Sequence, residues 1–428
     1  MKKNYALKYG YLGENVLPIG GWWGPYAPSE PGHPNFIDDK YYKLLKDAGI
    51  NFISVTPDDF SVTPQAALAS ARLAHRHGMG FFMHDRFFMD EGNVPCFQER
   101  LKEYGCLPNI MGMHFQDEPQ ADDFARLSKL VAAYNTVAPK GAHAYVNMLP
   151  VYGGRNAGRF PYGEASLDYM EFLELFLSLV PVKFLSYDYY PFLKPDRGNC
   201  DMKDYYYNLS VARRLSYNRG IPFWVFVQTG GQWELIDKPS EAYYPSEGEF
   251  MWNVYSSLAY GAQGLQYFTL IQPESFSHTD SGSDFRRIGM IGCDGETNRW
   301  YDYVKRVNAQ VAAIGPILMD AVWEGVIGAG VELAYSLDAA DRPQYTAMPA
   351  ELVADDALLG CFSFSGGRAY LAVNNDLGGE RAIRLKFADD ARYEVIIGGV
   401  SAHGQGRAAE VVLDGGNCAM IIERRKEV

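Results

Sequence analysis

The sequence predicts an α/β fold, a (β/α)8 TIM barrel followed by a smaller C-terminal antiparallel β-sandwich. Three observations carry that expectation. Short apolar runs alternate with helical patterns from the N-terminus to about residue 313. Those runs are too continuously apolar to have a wet face, which is the signature of parallel strands covered by helices. Beyond Gly315 the pattern changes to short alternating strands broken by Gly pairs and Asn/Asp, as in an antiparallel sandwich. A chain of 428 residues exceeds what one core ordinarily serves, so a barrel domain over 1–315 and a sandwich domain over 316–428 are expected.

The elements follow in order. The run VLPIGG precedes the helical stretch IDDKYYKLLKDAG, whose closing Gly49 suits a helix C-cap. NFISV is the second strand, followed by a helix opened by Pro64 and closed by Gly78. GFFMH is the third, with a looser helical segment around FQERLKEYG after it. NIMGMHF and HAYVNM are the fourth and fifth strands, each followed by a helix, and KFLSYDYY is the sixth. PFWVFV and GLQYFTL complete eight units, the last leading into RWYDYVKRVNAQVAAIG. A doubly wound sheet is the alternative, but no Gly-rich phosphate fingerprint follows the first strand, and the GVIGAG run at 325–330 has the wrong place and spacing. After the junction, LLGCFSFSGGRAYLAVNND, RAIRLKF, RYEVIIGG and AEVVLDGGNCAMIIE read as sandwich strands. No low-complexity linker divides the two parts, so they are expected to pack rigidly.

Composition excludes several function classes. The formal net charge of −13, without a long Lys/Arg run, argues against nucleic acid and anionic lipid as partners. No apolar run approaches the roughly 20 residues of a membrane span. The start, MKKNYALKYGYLGEN, has no apolar stretch after its basic residues, so a secretory leader is not expected and the cytoplasm is the expected location. The six cysteines (Cys96, Cys106, Cys200, Cys293, Cys361, Cys418) lack CxxC spacing and are read as buried free thiols. Neither a cofactor nor a metal is expected, and the oligomeric state is left open. Aromatic residues make up 14%, which serves either a large core or a cleft that offers ring faces to sugars.

In a barrel of this kind chemistry belongs at the C-terminal strand ends. Those ends read Gly20-Gly21-Trp22-Trp23, Pro57-Asp58-Asp59, His84-Asp85-Arg86, Asp117-Glu118-Pro119, Asn147, Asp188-Tyr189-Tyr190-Pro191 and Gln228. A ring of carboxylates, amides and indoles suits a neutral polyhydroxylated substrate. Trp22, Trp23, Asp58, His84, Asp85, Asp117, Asn147, Tyr190, Gln228 and the loop residue Trp233 are therefore expected to bind it. Cleavage of a glycosidic bond needs one carboxylic acid to protonate the leaving oxygen and a second carboxylate to attack carbon or activate water. Glu118 is the candidate acid, its proton retained through desolvation and through the neighbouring Asp117. The competing reading makes Asp117 or Glu118 a helix cap ahead of Pro119. No GxSxG turn supports a Ser-His-Asp hydrolase.

The run GMHFQDEP, then LSYDYYPF, LAYGAQGLQYFTL and NAQVAAIGPIL in that order, resembles the clan A glycoside hydrolases, in particular their β-galactosidase-like and poorly characterised relatives. The resemblance covers nearly the whole chain and implies hydrolysis of a small glycoside or oligosaccharide. It places the family's acid/base on Glu118. It also departs from the family pattern twice: the asparagine usual before that glutamate is Asp117 here, and the nucleophile position at the end of strand seven falls on Gln228, an amide that cannot form a glycosyl ester. Three explanations follow. Asp188 supplies the second carboxylate, with Asp58, Asp85 and Glu234 as weaker candidates; or Gln228 is a glutamate replaced to trap a complex; or the protein binds sugar without cleaving it.

Overall fold

The computed structural model describes residues 11–13, 15–28, 32–54, 63–104, 107–154, 159–192, 202–230, 243–273, 289–333 and 351–424. Its first part is built from strands β1 (Ile19–Trp22), β2 (Phe52–Ser54), β3 (Gly80–Met83), β4 (Ile110–Asp117) and β5 (His143–Met148). A small hairpin, β6 (Phe160–Tyr162) and β7 (Ala165–Leu167), interrupts the series before β8 (Leu185–Tyr187), β9 (Phe223–Gln228) and β10 (Leu265–Phe268). The parallel sheet runs in the order β1-β10-β9-β8-β5-β4-β3-β2, and its two ends meet. Asn51 closes that seam: its N–H donates to the Ile19 carbonyl and its Oδ1 accepts from the Ile19 N–H, both at 2.8 Å. The Gly20-Gly21 pair permits the closure, because a Cβ on Gly20 would stand 2.3 Å from the Phe52 carbonyl and one on Gly21 2.2 Å from that of Tyr267. All eight strands expected from the apolar runs are present, and the barrel is the fold observed.

The helices between strands are α1 (Asp39–Asp47), α2 (Pro64–Arg76), α3 (Phe97–Tyr104), α4 (Phe124–Val137), α5 (Tyr169–Leu179), α6 (Met202–Arg219), α7 (Glu247–Ala259) and α8 (Arg299–Asp320). Their starts are written locally: Asp38, Thr63, Asp168, Ser246 and Asn298 each accept a first-turn N–H. Their apolar faces pack on the outside of the barrel in the main core. The barrel's interior is a separate aromatic plug of Trp22, Phe52, Phe82, Tyr145, Phe184, Trp224 and Phe226 with Met111. It forms a solid floor, so any substrate must sit above it at the strand ends.

Helix α8 runs through Gly315 to Asp320, and the C-terminal strands begin directly after it. They are β11 (Val322–Ala329), β12 (Glu351–Val353), β13 (Ala357–Phe364), β14 (Gly367–Asn374), β15 (Arg381–Ile397), β16 (Val400–Leu413) and β17 (Cys418–Arg424). The runs RAIRLKF and RYEVIIGG, expected as two strands, are one: β15 is continuous, with its pairing to β16 shifting register between Lys386 and Ala391. That bend lets β15 pair β12 in its first half and β17 in its second, folding the sheet over a second core that includes Leu359, Tyr370, Leu385, Val411 and Ile421. The result is the sandwich.

The sandwich is fastened to the barrel's helices. Asn375 Oδ1 accepts from Trp252 Nε1 of α7 at 2.9 Å and from the Tyr206 hydroxyl of α6, and Trp323 Nε1 donates to the Ala259 carbonyl at 2.9 Å. Cys293, Cys361 and Cys418 are buried free thiols, but Cys96, expected to be buried too, is exposed; Cys106 and Cys200 lie outside the described residues. Among the described residues no helix is long and apolar enough to cross a membrane.

Candidate active site

Strand register brings polar residues of three adjacent strands into one row. Asp117 at the end of β4 pairs with Asn147 on β5, and Asn147 pairs with Ser186 on β8. The Asn147 amide lies between two carboxylates: Nδ2 donates to Asp117 Oδ1 at 3.1 Å and to Asp188 Oδ1 at 3.0 Å. Two acceptors on one nitrogen are within about 6 Å of each other. Glu118, next along the chain, is exposed at the mouth, and its N–H donates to the Asn147 carbonyl at 2.9 Å. Two carboxyl groups from two strand ends thus meet on one asparagine amide, and the backbone of Glu118 bonds the carbonyl of the same residue.

Asp188 is only 6% exposed. Burial pushes its carboxyl well above the usual carboxylate range, the charges of Glu118 and Asp117 push it the same way, and the Asn147 hydrogen bond opposes them. The sequence expects the desolvated carboxyl at Glu118; in the structure Glu118 is exposed and Asp188 is the buried carboxyl of the group. Glu118 turns the chain after β4 with a backbone φ of +45°, a left-handed conformation uncommon outside glycine. Such strain in a non-glycine residue is concentrated at functional sites. The turn itself is secured downstream, where Asp123 Oδ2 accepts from the Gln120 N–H at 3.0 Å and from Gln116 Nε2 at 3.2 Å.

Aromatic side chains border the carboxyl groups. Trp23, Phe268 and Tyr190 are each partly exposed, with Phe268 5.6 Å from Trp23 and 5.4 Å from Tyr190 between ring centroids. After burial, the charge of Asp188 is the largest influence holding the Tyr190 phenol well above its usual range, so that hydroxyl faces the acidic group. Trp22, one residue before Trp23, points the other way. It is 3% exposed and packs in the barrel floor, 4.8 Å from His114 and from Phe226.

Other expected ligands are placed away from the cluster. Asp85 is buried and bonded to the barrel wall, accepting from Arg100 Nε at 2.7 Å, from the Phe87 N–H at 3.0 Å and from the Tyr104 hydroxyl. His84 holds β3 to β4: its Nδ1 is 2.9 Å from the His114 carbonyl, which only accepts, so Nδ1 carries the proton. Gln228 is 5% exposed and works as a clamp. Its Oε1 accepts from the Phe192 N–H at 3.2 Å, and its Nε2 donates to the carbonyls of Phe192 at 3.2 Å and Gly230 at 3.0 Å. Asp58, Trp233 and Glu234 lie outside the described residues.

Sequence reasoning missed Tyr145, Ser186, Gln266 and Phe268. The first three carried a signal, being polar groups inside otherwise apolar strand runs, where a buried donor or acceptor needs a partner.

Neither a family model nor a curated protein matches the chain. Solved structures do. The chain is similar to the GH42 β-galactosidase Gan42B of G. stearothermophilus, in a catalytic-mutant form, at 9% identity over 98% of this chain and 100% of that one, with a TM-score of 0.58. It is similar also to a GH27 β-L-arabinopyranosidase of Geobacillus stearothermophilus in complex with arabinose, at 9% identity over 96% and 98% of the two chains, TM-score 0.51. A β-galactosidase of the psychrophilic Marinomonas ef1 matches 71% of this chain at 11% identity and a TM-score of 0.48, and the match spans 62% of its own length. The first two likenesses cover barrel and C-terminal strands together and establish the fold, a TIM barrel followed by a β-domain.

Proposed function

We propose that the protein is a glycoside hydrolase that cleaves a small glycoside or oligosaccharide with carboxyl groups from the ends of β4 and the sixth barrel strand, β8. The observation that carries this reading is the pairing of the Asp117 and Asp188 carboxyl groups on the Asn147 amide, with Asp188 buried, Glu118 exposed beside it at the mouth, and the charge of Glu118 acting on the Asp188 carboxyl. Asp188, its carboxyl pushed towards the protonated form by burial and by the charges of Glu118 and Asp117, delivers a proton to the departing glycosidic oxygen. Glu118 attacks the anomeric carbon or draws a proton from the attacking water. Trp23, Phe268 and Tyr190 offer ring faces to the sugar's C–H surface. Residues of the barrel carry the chemistry, and the C-terminal strands support it. The fold likeness to proteins named as a β-galactosidase and a β-L-arabinopyranosidase agrees with a carbohydrate substrate.

The test is a panel of aryl glycosides of graded leaving-group acidity, given to the protein, to Glu118→Gln and to Asp188→Asn. Glu118→Gln is expected to lose activity on every substrate by roughly 10²- to 10⁴-fold or more. Asp188→Asn is expected to keep activity on the most acidic leaving groups, which depart without a proton, and to lose it on the least acidic. Sugar binding with no product from any glycoside would overturn the reading in favour of a binding protein.

A further inference from the structure

Behind the carboxyl groups the barrel holds a second row of polar contacts. Asn147 Oδ1 accepts from Ser186 Oγ at 2.9 Å, Ser186 Oγ accepts from Gln266 Nε2 at 2.9 Å, and Gln266 Oε1 accepts from the Tyr145 hydroxyl. Asn147, Ser186, Gln266 and Tyr145 are all at most 1% exposed. The row crosses the barrel from β5 through β8 to β10, and every link donates towards Asn147.

We propose that Tyr145, Gln266 and Ser186 are positioning residues: a directional hydrogen-bond chain that fixes which edge of the Asn147 amide meets Asp117 and Asp188. An amide presents either two N–H donors or one carbonyl acceptor to a given side. If the chain ran in reverse, with the Ser186 hydroxyl accepting from Asn147, the Asn147 oxygen would face two carboxyl groups and repel their ionised forms. Ser186 has one hydroxyl proton, and because Gln266 presents it with a donor, that proton goes to the Asn147 oxygen; Gln266 in turn is oriented by the phenol. The chain therefore sets how easily the buried carboxyl loses its proton, without touching a substrate. The groups that face Asp188 are Asp117 and Glu118 from β4, Tyr145 from β5, Tyr169 from α5, and Tyr187 and Tyr190 on its own segment. Beside these titratable groups, Asn147 is the amide bonded to Asp188, and its direction is what the chain fixes.

The inference rests on the active-site reading for its catalytic consequence but is tested without it. Infrared difference titration of the protonated carboxyl band, in protein free of substrate, reports Asp188 directly, and Asp188→Asn assigns the band by removing it. In Ser186→Ala and in Gln266→Met the band is expected to persist to higher pH, by about half a unit or more, since a donor held towards the carboxylate favours its ionised form. Ser186→Thr, which keeps the hydroxyl, is expected to titrate as the parent does. A band that titrates identically in Ser186→Ala and Gln266→Met would overturn the proposal, whether or not any glycoside is cleaved. If glycosides are cleaved, the same two variants are expected to move the pH limb of kcat/KM in the same direction with KM little changed.

Discussion

The ends of β4 and β9 are built alike and used differently. Each closes a continuously buried run with a side chain able to serve chemistry, Asp117 and Glu118 in one case and Gln228 in the other. At β4 the polar atoms point to a shared asparagine and to the open mouth. At β9 the amide is consumed by three backbone bonds to Phe192 and Gly230. A carboxylate could accept the Phe192 N–H but has no proton for either carbonyl. The contrast teaches that residue type at a strand end marks a candidate, and the fate of its lone pairs and protons decides its role. Gln228 spends its amide on the backbone, an arrangement that a glutamate could not reproduce in full.

The largest way to break that comparison is Glu118→Gln, expected to cost roughly 10²- to 10⁴-fold in turnover with the fold intact by circular dichroism. An unchanged rate would move the chemistry elsewhere. Next is Gln228→Glu, expected to lower stability by about 2 to 4 kcal/mol in denaturant titration, because two carbonyls would face a buried carboxylate. It is not expected to raise activity; a gain would restore the view that β9 carries a vacant nucleophile position. Third, Asp188→Asn sharpens the electrostatics. A carboxyl whose folded pKa is raised binds more protons folded than unfolded, so its presence lowers stability as pH rises above the unfolded value of about 4. The variant is therefore expected to melt with the parent in acid and above it at pH 7, each unit of upward shift being worth about 1.4 kcal/mol. Smallest is the backbone term. Glu118→Gly is expected to leave stability unchanged or raise it slightly, while the β-branched Glu118→Val loses about 1 kcal/mol or more at the same positive φ.

Much of the fold was legible because local rules agree with the tertiary structure. The apolar runs become strands, Thr63 and Pro64 open α2, and Gly49 and Gly78 end helices with φ of +82° and +68°. The cluster was legible as three carboxyl groups at strand ends. What the sequence could not reveal was long-range pairing. Arg100 and Tyr104 reach Asp85 from a helix whose pattern was loose, and Phe192 meets Gln228 across 36 positions. The same limit hid which carboxyl is desolvated, since the burial of Asp188 depends on how the strands and their loops pack. The split between Trp22 and Trp23, both expected to bind substrate, likewise appeared only in the structure, where β1 ends at Trp22 and Trp22 packs in the barrel floor.

One fastening has a consequence for how the molecule melts. Trp252, held by Asn375 of the sandwich, sits one residue before Asn253, whose Oδ1 accepts the Gln228 N–H at 3.1 Å. Loss of the C-terminal strands would therefore strip α7 of its outer support and loosen the clamp at the seventh barrel strand. Barrel and sandwich are thus expected to unfold in a single calorimetric transition, and the pair behaves as one cooperative unit rather than as interchangeable modules.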